Sequence, residues 1–318
     1  MAHSHAPLGF LGFGEAGFHL ALGLREAGAP PMIAFDIHAD RGTAGERIRS
    51  RAAATDTRLV ASAEALGNSS AVILSVVTAA SALDAARSVA PSLAADRIFV
   101  DLNSVAPATK RQIADLIGIA GARFVEGAIM APVPPAKHRV PILLNGPSAH
   151  AVHDALSRYG ARLEVMNGAV GAAAAVKMCR SIVIKGLEAL LLECAVAAGE
   201  YDATDRVFDS LDETFPGMKW RQTADYMIGR VLEHGERRAR EMEEVAGTLR
   251  AAGIDPIVAE ATARRQDWDR ARSAGRLGEP RPDSNAGLLA LLVDRPGLCS
   301  TPPAQHAERV SDAKSATS

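Results

Sequence analysis

The sequence predicts an α/β fold in which a doubly wound parallel sheet is followed by an all-α C-terminal domain. Three observations support this fold class. Short apolar strands alternate with alanine-rich helical segments from residue 8 to about residue 145. A glycine-rich stretch, GFLGFGEAG, lies where the first strand gives way to the first helix. After Gly168 the alternation ends, and the remaining patterns are helical.

The predicted strands are short and apolar, which is typical of strands that helices cover on both faces. They span residues 8–11, 32–35, 72–76, 98–101, 124–126 and 142–144. The predicted helices include residues 17–27 and 80–89, one long helix over 168–200, and then 224–252 and 257–273. We therefore predict a first domain over residues 1–167, a helical substrate-binding and dimerisation domain over 168–295, and a disordered tail over 296–318.

Composition and charge exclude several classes of protein. The net charge of the 318 residues is −2, so the chain has no electrostatic means of capturing nucleic acid or an anionic membrane. Only 4% of the residues are aromatic, which leaves few platforms on which bases could stack. The longest apolar run, residues 182–198, contains three charged residues and is not typical of a membrane span. Neither nucleic acid nor a membrane is therefore expected as a partner.

The three cysteines, Cys179, Cys194 and Cys299, are odd in number and lack the spacing of metal ligands. We interpret them as free thiols of a reducing compartment. The chain does not open on a cationic segment followed by an apolar one, so we expect no signal peptide. The sequence thus predicts a cytoplasmic protein without a metal site.

The glycine-rich stretch contains the pattern G-x-G-x-x-G between a predicted strand and a predicted helix. In that position Gly12 permits a tight turn, and Gly14 allows the backbone to approach a pyrophosphate. Gly17 lets the helix pack against the strand, and the helix N-terminus attracts the phosphate groups. This pattern predicts a dinucleotide-binding domain of the Rossmann type.

The second predicted strand leads to Asp36, about twenty residues after the glycines. A carboxylate there can accept hydrogen bonds from the adenosine ribose, and its charge favours NAD over NADP. Two alternatives are that Asp36 caps the following helix and that Arg41 accommodates a 2′-phosphate, which would make NADP a possible cofactor. The predicted cofactor-binding residues are Gly12, Phe13, Gly14, Glu15, Ala16, Gly17, Asp36, Val76 and Val77.

Asn103 and Ser104 follow a predicted strand at the sheet edge that faces the ligand crevice. Taken alone, this pattern favours a helix cap by Ser104 over a role in binding substrate. A second group of polar residues lies in the long helix, where Ser181, Lys185 and Glu188 fall within about 80° of Lys177 around the axis. That stripe is equally compatible with an ion-pair ladder and with the lining of a site.

Together these motifs resemble the β-hydroxyacid dehydrogenases, which include 3-hydroxyisobutyrate and phosphogluconate dehydrogenases, and especially a bacterial phosphogluconate-dehydrogenase-like branch. The resemblance covers residues 8 to about 290. The family's three motifs are matched by Gly12, Gly14 and Gly17, loosely by Asp101, Asn103, Ser104 and Pro107, and by Gly171 and Lys177. Their order and spacing together are more specific than any one motif.

The resemblance implies that Lys177 is the catalytic lysine and that a neighbouring subunit helps to close the cleft. The chain departs from the family at three points. Met130, Ala131 and Pro132 stand where the family has a Ser-Gly-Gly that holds the acidic end of the substrate. Ser181 replaces an asparagine, and Glu241 and Met242 stand near the position of a late Lys-Asp pair. Substrate recognition is therefore expected to differ from that of the family.

We predict an NAD(P)-dependent oxidoreductase that transfers a hydride between nicotinamide and the hydroxyl or carbonyl carbon of a small polar, acidic substrate. Lys177 is the predicted general acid/base, and Asn103, Ser104 and Ser181 are the predicted substrate-binding residues. The alternatives are an imine reductase on the same scaffold and a non-catalytic nucleotide-binding sensor or scaffold. Because the long helix is too apolar to stand alone, we also predict a homodimer.

Overall fold

The computed structural model describes residues 6–273, with side chains as far as residue 267. The strands of this part are β1 (Leu8–Leu11), β2 (Met32–Phe35), β3 (Thr57–Leu59), β4 (Val72–Ser75), β5 (Ile98–Asp101), β6 (Arg123–Ile129), β7 (Ile142–Asn145) and β8 (Leu163–Met166). The predicted tail over residues 296–318, the end of the predicted helical domain and Cys299 lie outside the described residues.

The α-helices of the same part lie between and after these strands. They are α1 (Glu15–Glu26), α2 (Gly42–Ala54), α3 (Ala63–Ser69), α4 (Ala82–Val89), α5 (Pro107–Ile119), α6 (Val133–Ala136), α7 (Ala149–Ser157), α8 (Ala172–Glu200), α9 (Thr204–Thr214), α10 (Trp220–Ala251) and α11 (Ile257–Ser273). Helices α8 to α11 follow one another without an intervening strand, as the sequence predicts.

The strands form one sheet in the order β3-β2-β1-β4-β5-β6-β7-β8. Neighbouring strands are parallel, except that β6 pairs antiparallel with β7. Chain order reverses beside β1, because β2 and β3 lie on one side of it and β4 on the other. In a doubly wound sheet the ligand crevice lies at such a reversal, outside the carboxyl ends of the strands. The predicted fold class is therefore confirmed, with the crevice expected beyond β1 and β4.

The sheet differs from the predicted one in two strands and one direction. The sequence predicts neither β3, which has only three residues and an exposed Arg58 at its centre, nor β8, a half-buried edge strand. It also predicts a wholly parallel sheet. The β6–β7 connection contains only the four-residue α6 and a 3₁₀ turn, which is too little helix for a crossover that would return β7 parallel.

Two apolar cores cover the two faces of the sheet, because successive residues of a strand point in opposite directions. Phe10 and Leu74 belong to the core that includes residues of α1, α2 and α7. Leu11 and Ile73 belong to the core that includes residues of α3, α4 and α5. Each such fully buried side chain contributes roughly 1.5–3 kcal/mol relative to exposure.

His138, in the connection between β6 and β7, is buried. The Nε2 atom of His138 lies 2.8 Å from the carbonyl oxygen of Tyr159. Because a carbonyl oxygen can only accept a hydrogen bond, Nε2 carries the proton. His138 also packs against Gly23 of α1, where a Cβ would collide with the imidazole. Burial lowers the pKa of His138 below its ordinary value of 6.5 and so favours the neutral ring.

By packing, the chain divides into two compact units. The first comprises the residues up to Gly186 with Ala239–Ala263, and so contains the sheet, the start of α8 and the end of α10. Beyond the sheet, its apolar side chains include a cluster around Met178 and Met242. The second comprises Leu187–Arg238 and resumes at Arg264; its core includes Leu192, Phe208 and Trp220. The domain boundary after residue 167 stays a prediction.

Candidate functional site

The turn after β1 lies directly against the end of β4, as the order of the strands requires. Gly12 has a φ of +89°, and a Cβ there would lie 2.7 Å from both the carbonyl oxygen of Val76 and the Cγ1 of Val77. A side chain at this position would therefore meet both backbone strain and a steric clash. Gly17 packs just as closely, since its Cβ would lie 2.8 Å from the carbonyl oxygen of Gly12.

Gly14 has the opposite environment. It is the N-cap residue of α1, and a Cβ built on it meets no atom within 4 Å. The space beside the first turn of α1 is thus open, and N-terminal N–H groups of a helix favour an anion there. Phe13 is buried, Ala16 is half-buried and Glu15 faces solvent. These residues fit the pyrophosphate of a dinucleotide, which needs bare backbone and open space at the same point.

Asp36 is fixed beside this glycine turn by two backbone hydrogen bonds. Phe13 N donates to its Oδ2 at 2.8 Å, and His38 N donates to its Oδ1 at 2.9 Å. The carboxylate is half-buried and lies beyond the carboxyl end of β2. Because α2 begins at Gly42 with Arg41 as its N-cap residue, these bonds do not cap that helix. Asp36 is thus held at the glycine turn, and its role in binding the ribose stays a prediction.

A row of buried polar side chains crosses the sheet at the carboxyl end of β4. In the strand register Ser75 lies beside Asp101, Asp101 beside Glu126, and Glu126 beside Asn145. All four residues are at most 2% exposed. Buried polar groups persist only where their hydrogen bonds are satisfied, so the partners of this row define what it holds in place.

Asn103 connects the strand ends at the cofactor side of the row. Its Nδ2 donates to Ser75 Oγ at 2.9 Å and to Asp101, while its Oδ1 accepts from Val77 N at 2.7 Å. Asn103 therefore holds the loop that contacts Gly12. Ser104 is exposed and makes no cap to α5, whose N-cap residue is Ala106. Their role in binding substrate stays a prediction.

Beneath Asn103 lies a buried ion pair that the sequence reasoning missed. Lys110 Nζ is 2.9 Å from Asp101 Oδ2 and also donates to the carbonyl oxygens of Asp101 and Gly127, at 2.7 and 3.1 Å. The ammonium group thus makes two hydrogen bonds to backbone carbonyls and an ion pair with the carboxylate. This lysine ties α5 to β5 and β6 and is not poised for chemistry.

Glu126 holds the start of α8, the helix that carries Lys177. Its Oε2 accepts from Gly171 N at 2.8 Å and its Oε1 accepts from Ala174 N at 2.7 Å. Asn145 Nδ2 donates to the same Oε2 at 3.2 Å and to the carbonyl oxygen of Ala169 at 2.9 Å. The sequence reasoning also missed Glu126, although an acidic residue among the apolar residues of β6 is a signal that the carboxylate has buried partners.

The start of α8 packs against the segment that follows Ser104. A Cβ on Gly171, whose φ is +102°, would lie 2.9 Å from Pro107 Cβ. Ala106 packs against the apolar cluster that contains Met178. Lys177 lies between Gly171 and Met178 along the chain and is half-buried. The first unit thus brings the lysine helix and the Asn103–Ser104 loop together.

The polar stripe of α8 is bound to α10. Ser181 is half-buried and lies 3.5 Å from Lys185 Nζ, which is 2.6 Å from Glu241 Oε2. In the second unit the buried Glu188 forms an ion pair with Arg238 and accepts from Gln266 Nε2 at 3.2 Å. Lys185 and Glu188 of the stripe therefore form ion pairs with residues of α10, which the i,i+3 ladder that the sequence suggested within α8 did not include.

Within residues 6–273, no helix is long and apolar enough to cross a membrane. Over the same residues no group of three or more His, Cys, Asp or Glu side chains could hold a metal ion. The cysteines described there, Cys179 and Cys194, are free. The cytoplasmic location stays a prediction.

Two protein families match the chain. One is the NAD binding domain of 6-phosphogluconate dehydrogenase, over residues 7–171, and the other is a domain of unknown function, DUF1932, over residues 198–268. The crystal structure of a conserved hypothetical protein from Sinorhizobium meliloti 1021 is 37% identical, with a TM-score of 0.75, and the match covers 92% of this chain and 97% of that one.

A second relative of known structure is the conserved protein MTH1747, whose structure is described as similar to those of 3-hydroxyacid dehydrogenases. It is 31% identical, with a TM-score of 0.70, over 83% of this chain and 97% of that one. A 3-hydroxyisobutyrate dehydrogenase from Mycobacterium tuberculosis, solved with L-serine, is 15% identical with a TM-score of 0.70 over 91% and 99% of the two chains. That last likeness shows the fold alone. The resemblance predicted from the motifs is confirmed.

Proposed function

Since the chain belongs to the family of the NAD binding domain of 6-phosphogluconate dehydrogenase, we propose that it is an NAD(P)-dependent oxidoreductase acting on CH–OH. The substrate is a small polar molecule with an acidic group. Bound NAD(P) supplies hydride transfer at the substrate carbon. The remaining task, moving the hydroxyl proton, falls to a side chain of the protein, and we assign it to Lys177.

In this proposal Lys177 Nζ takes the hydroxyl proton as the carbonyl forms and returns it in the reverse direction. One positioned acid–base group of this kind accelerates a reaction by roughly 10²–10⁴-fold. Ser104 and Ser181 orient the substrate oxygen with their hydroxyl groups. Asn103 lies one residue before Ser104 and also acts on the cofactor side, because it holds Val77 N.

The observation that carries the proposal is the packing of α8 against the loop after Ser104. Gly171 contacts Pro107, and Ala106 packs with the cluster around Met178. The segment that follows the predicted substrate loop therefore touches the start of α8 at Gly171 and packs against the cluster that includes Met178. That loop is in turn bonded to Val77, next to Gly12.

The test is a screen of hydroxy acids, aldonates and β-hydroxy amino acids with NAD and with NADP. Turnover is measured as the increase in absorbance of the reduced nicotinamide. We expect turnover of at least one of these compounds, and we expect Lys177→Met to lower it by roughly 10²–10⁴-fold. A sensor or scaffold would bind cofactor without any turnover, and an imine reductase would reduce imines while oxidising no alcohol. Turnover of any hydroxy compound would exclude the sensor.

We also propose a homodimer that forms through α8. Of the apolar residues that suggested it, Leu187, Leu191 and Val196 pack within the second unit, whereas Leu190 is 68% exposed. Val183, seven residues earlier, is 67% exposed. Light scattering at micromolar concentration should give the mass of a dimer, and Leu190→Arg should give a monomer. A monomeric wild-type protein would contradict the proposal.

A further inference from the structure

We propose that Glu126 is a positioning residue whose carboxylate holds the first turn of α8 and so sets where Lys177 lies. The inference rests on the proposed role of Lys177. Glu126 is fully buried in β6, and its two oxygens accept from Gly171 N and Ala174 N at 2.8 and 2.7 Å. These two bonds tie the first turn of α8 to the sheet.

A buried carboxylate is suited to this position for two reasons. The first N–H groups of a helix have no partner within the helix, and one carboxylate can accept from two of them. Its negative charge also opposes the positive end of the helix dipole. Asn145 adds a further bond to Glu126 and one to the carbonyl oxygen of Ala169, just before the helix. The start of α8 is thus bound to two neighbouring strands.

A side-chain cap from the residue immediately before α8 is excluded, so the acceptor for the first N–H groups of this helix comes from the sheet. A Ser, Thr, Asp or Asn immediately before α8 would have to stand at position 171. Gly171 has a φ of +102°, and a Cβ there would meet Pro107 at 2.9 Å. The close packing against Pro107 therefore leaves no room for a capping side chain. Glu126 instead accepts from Ala174 N, one of the groups that such a cap would bond, and from Gly171 N.

The anchor lies one turn away from the lysine. Ala174 and Lys177 are three residues apart, so they lie on the same side of α8, about 4.5 Å apart along its axis. A helix is stiff over one turn, so that a shift of its first N–H groups is transmitted to Lys177. A displacement of about 1 Å at a reacting group can cost roughly 100-fold in rate.

The variant that tests the proposal is Glu126→Gln, which keeps the length of the side chain. The glutamine amide has only one oxygen, so its NH₂ group faces one of the two backbone N–H groups that the carboxylate accepted from. That N–H group loses its acceptor, and the first turn of α8 must shift. With a substrate found by the screen, we expect kcat to fall about 10- to 100-fold. The substrate KM and the dissociation constant for NAD should change less than about threefold, because neither is set by Lys177.

A kinetic isotope effect distinguishes positioning from mere stabilisation. With substrate deuterated at the carbon that gives up the hydride, the isotope effect on kcat should rise in Glu126→Gln as the chemical step becomes limiting. The matched control is Val89→Ala, in the fully buried core of α4, which lowers the melting temperature without touching α8. It should retain the wild-type kcat and isotope effect. A Glu126→Gln protein that behaves like Val89→Ala would overturn the proposal.

A second readout needs no turnover. The rate at which an amine-reactive reagent labels Lys177, relative to the exposed Lys219, should change about threefold or more in Glu126→Gln and not in Val89→Ala. If no substrate is found but the labelling changes, the proposed function fails and the positioning role stands. Unchanged labelling overturns the positioning role. If Glu126→Gln does not fold, Glu126→Asp, which keeps the charge, is subjected to the same comparison.

Discussion

Replacing Gly14 with alanine should separate the stability of the fold from its affinity for NAD. Gly14 has a φ of −69° and a ψ of −155°, which is extended backbone and not the positive φ that only glycine adopts readily. Its new Cβ would meet no protein atom within 4 Å. The remaining cost to the fold is the poorer N-cap preference of alanine, about 1 kcal/mol or less. The variant should therefore fold like the wild-type protein.

The bound cofactor should respond differently to the same methyl group. If the pyrophosphate approaches the backbone at Gly14, the Cβ overpacks a filled site, at a cost of about 1–3 kcal/mol. The dissociation constant for NAD should then rise by about 5- to 150-fold. Calorimetric titration with NAD gives the affinity, and thermal unfolding without NAD gives the stability.

Gly118→Ala is the matched control. This glycine also has no atom within 4 Å of a built Cβ, but it lies near the end of α5, away from the glycine turn. The change should leave the affinity for NAD unaltered and raise the stability by up to about 1 kcal/mol. A folded Gly14→Ala protein with wild-type affinity would show that the pyrophosphate does not lie at this turn.

Three further predictions concern charged and titratable residues. The protein should bind NAD more tightly than NADP, measured as the two dissociation constants. Asp36→Ala should reduce the ratio between these two constants. Lys177→Met should lower turnover by roughly 10²–10⁴-fold, whereas Lys185→Met should change turnover much less and cost about 1–3 kcal/mol of stability through its lost ion pair with Glu241. His138 has a lowered pKa, so its contribution to the free energy of unfolding is complete above pH 6.5 and is lost as the pH falls through that lowered pKa. Melting temperatures should therefore fall less on acidification in His138→Gln than in the wild-type protein.

Each of these predictions has an outcome that would contradict it. Tighter binding of NADP by the wild-type protein would favour Arg41 as a 2′-phosphate contact over the charge of Asp36. A larger loss of turnover in Lys185→Met than in Lys177→Met would show that the catalytic lysine is misassigned. Parallel acid profiles for wild-type protein and His138→Gln would mean that burial of His138 does not govern stability in this range.

The strands and helices that the sequence predicts share one property, a strong local pattern. The buried strands β1, β2 and β5 are continuous apolar runs, and each has the predicted bounds. The edge strands β3 and β8 were missed because exposed or half-buried residues interrupt any apolar run. The antiparallel direction of β7 was missed because it depends on how the short α6 connection folds back onto the sheet.

The sequence by itself determined the dinucleotide-binding half, through a glycine turn after one strand and a carboxylate after the next. Tertiary structure alone decided which residues hold these parts. Glu126 bonds to Gly171 and Ala174, 45 and 48 residues away, and Asn103 bonds to Val77, 26 residues before it. Such bonds join residues that are neighbours only after the strands have paired. No periodicity or motif encodes them, because their energy depends on the register of the sheet and on the burial that it creates.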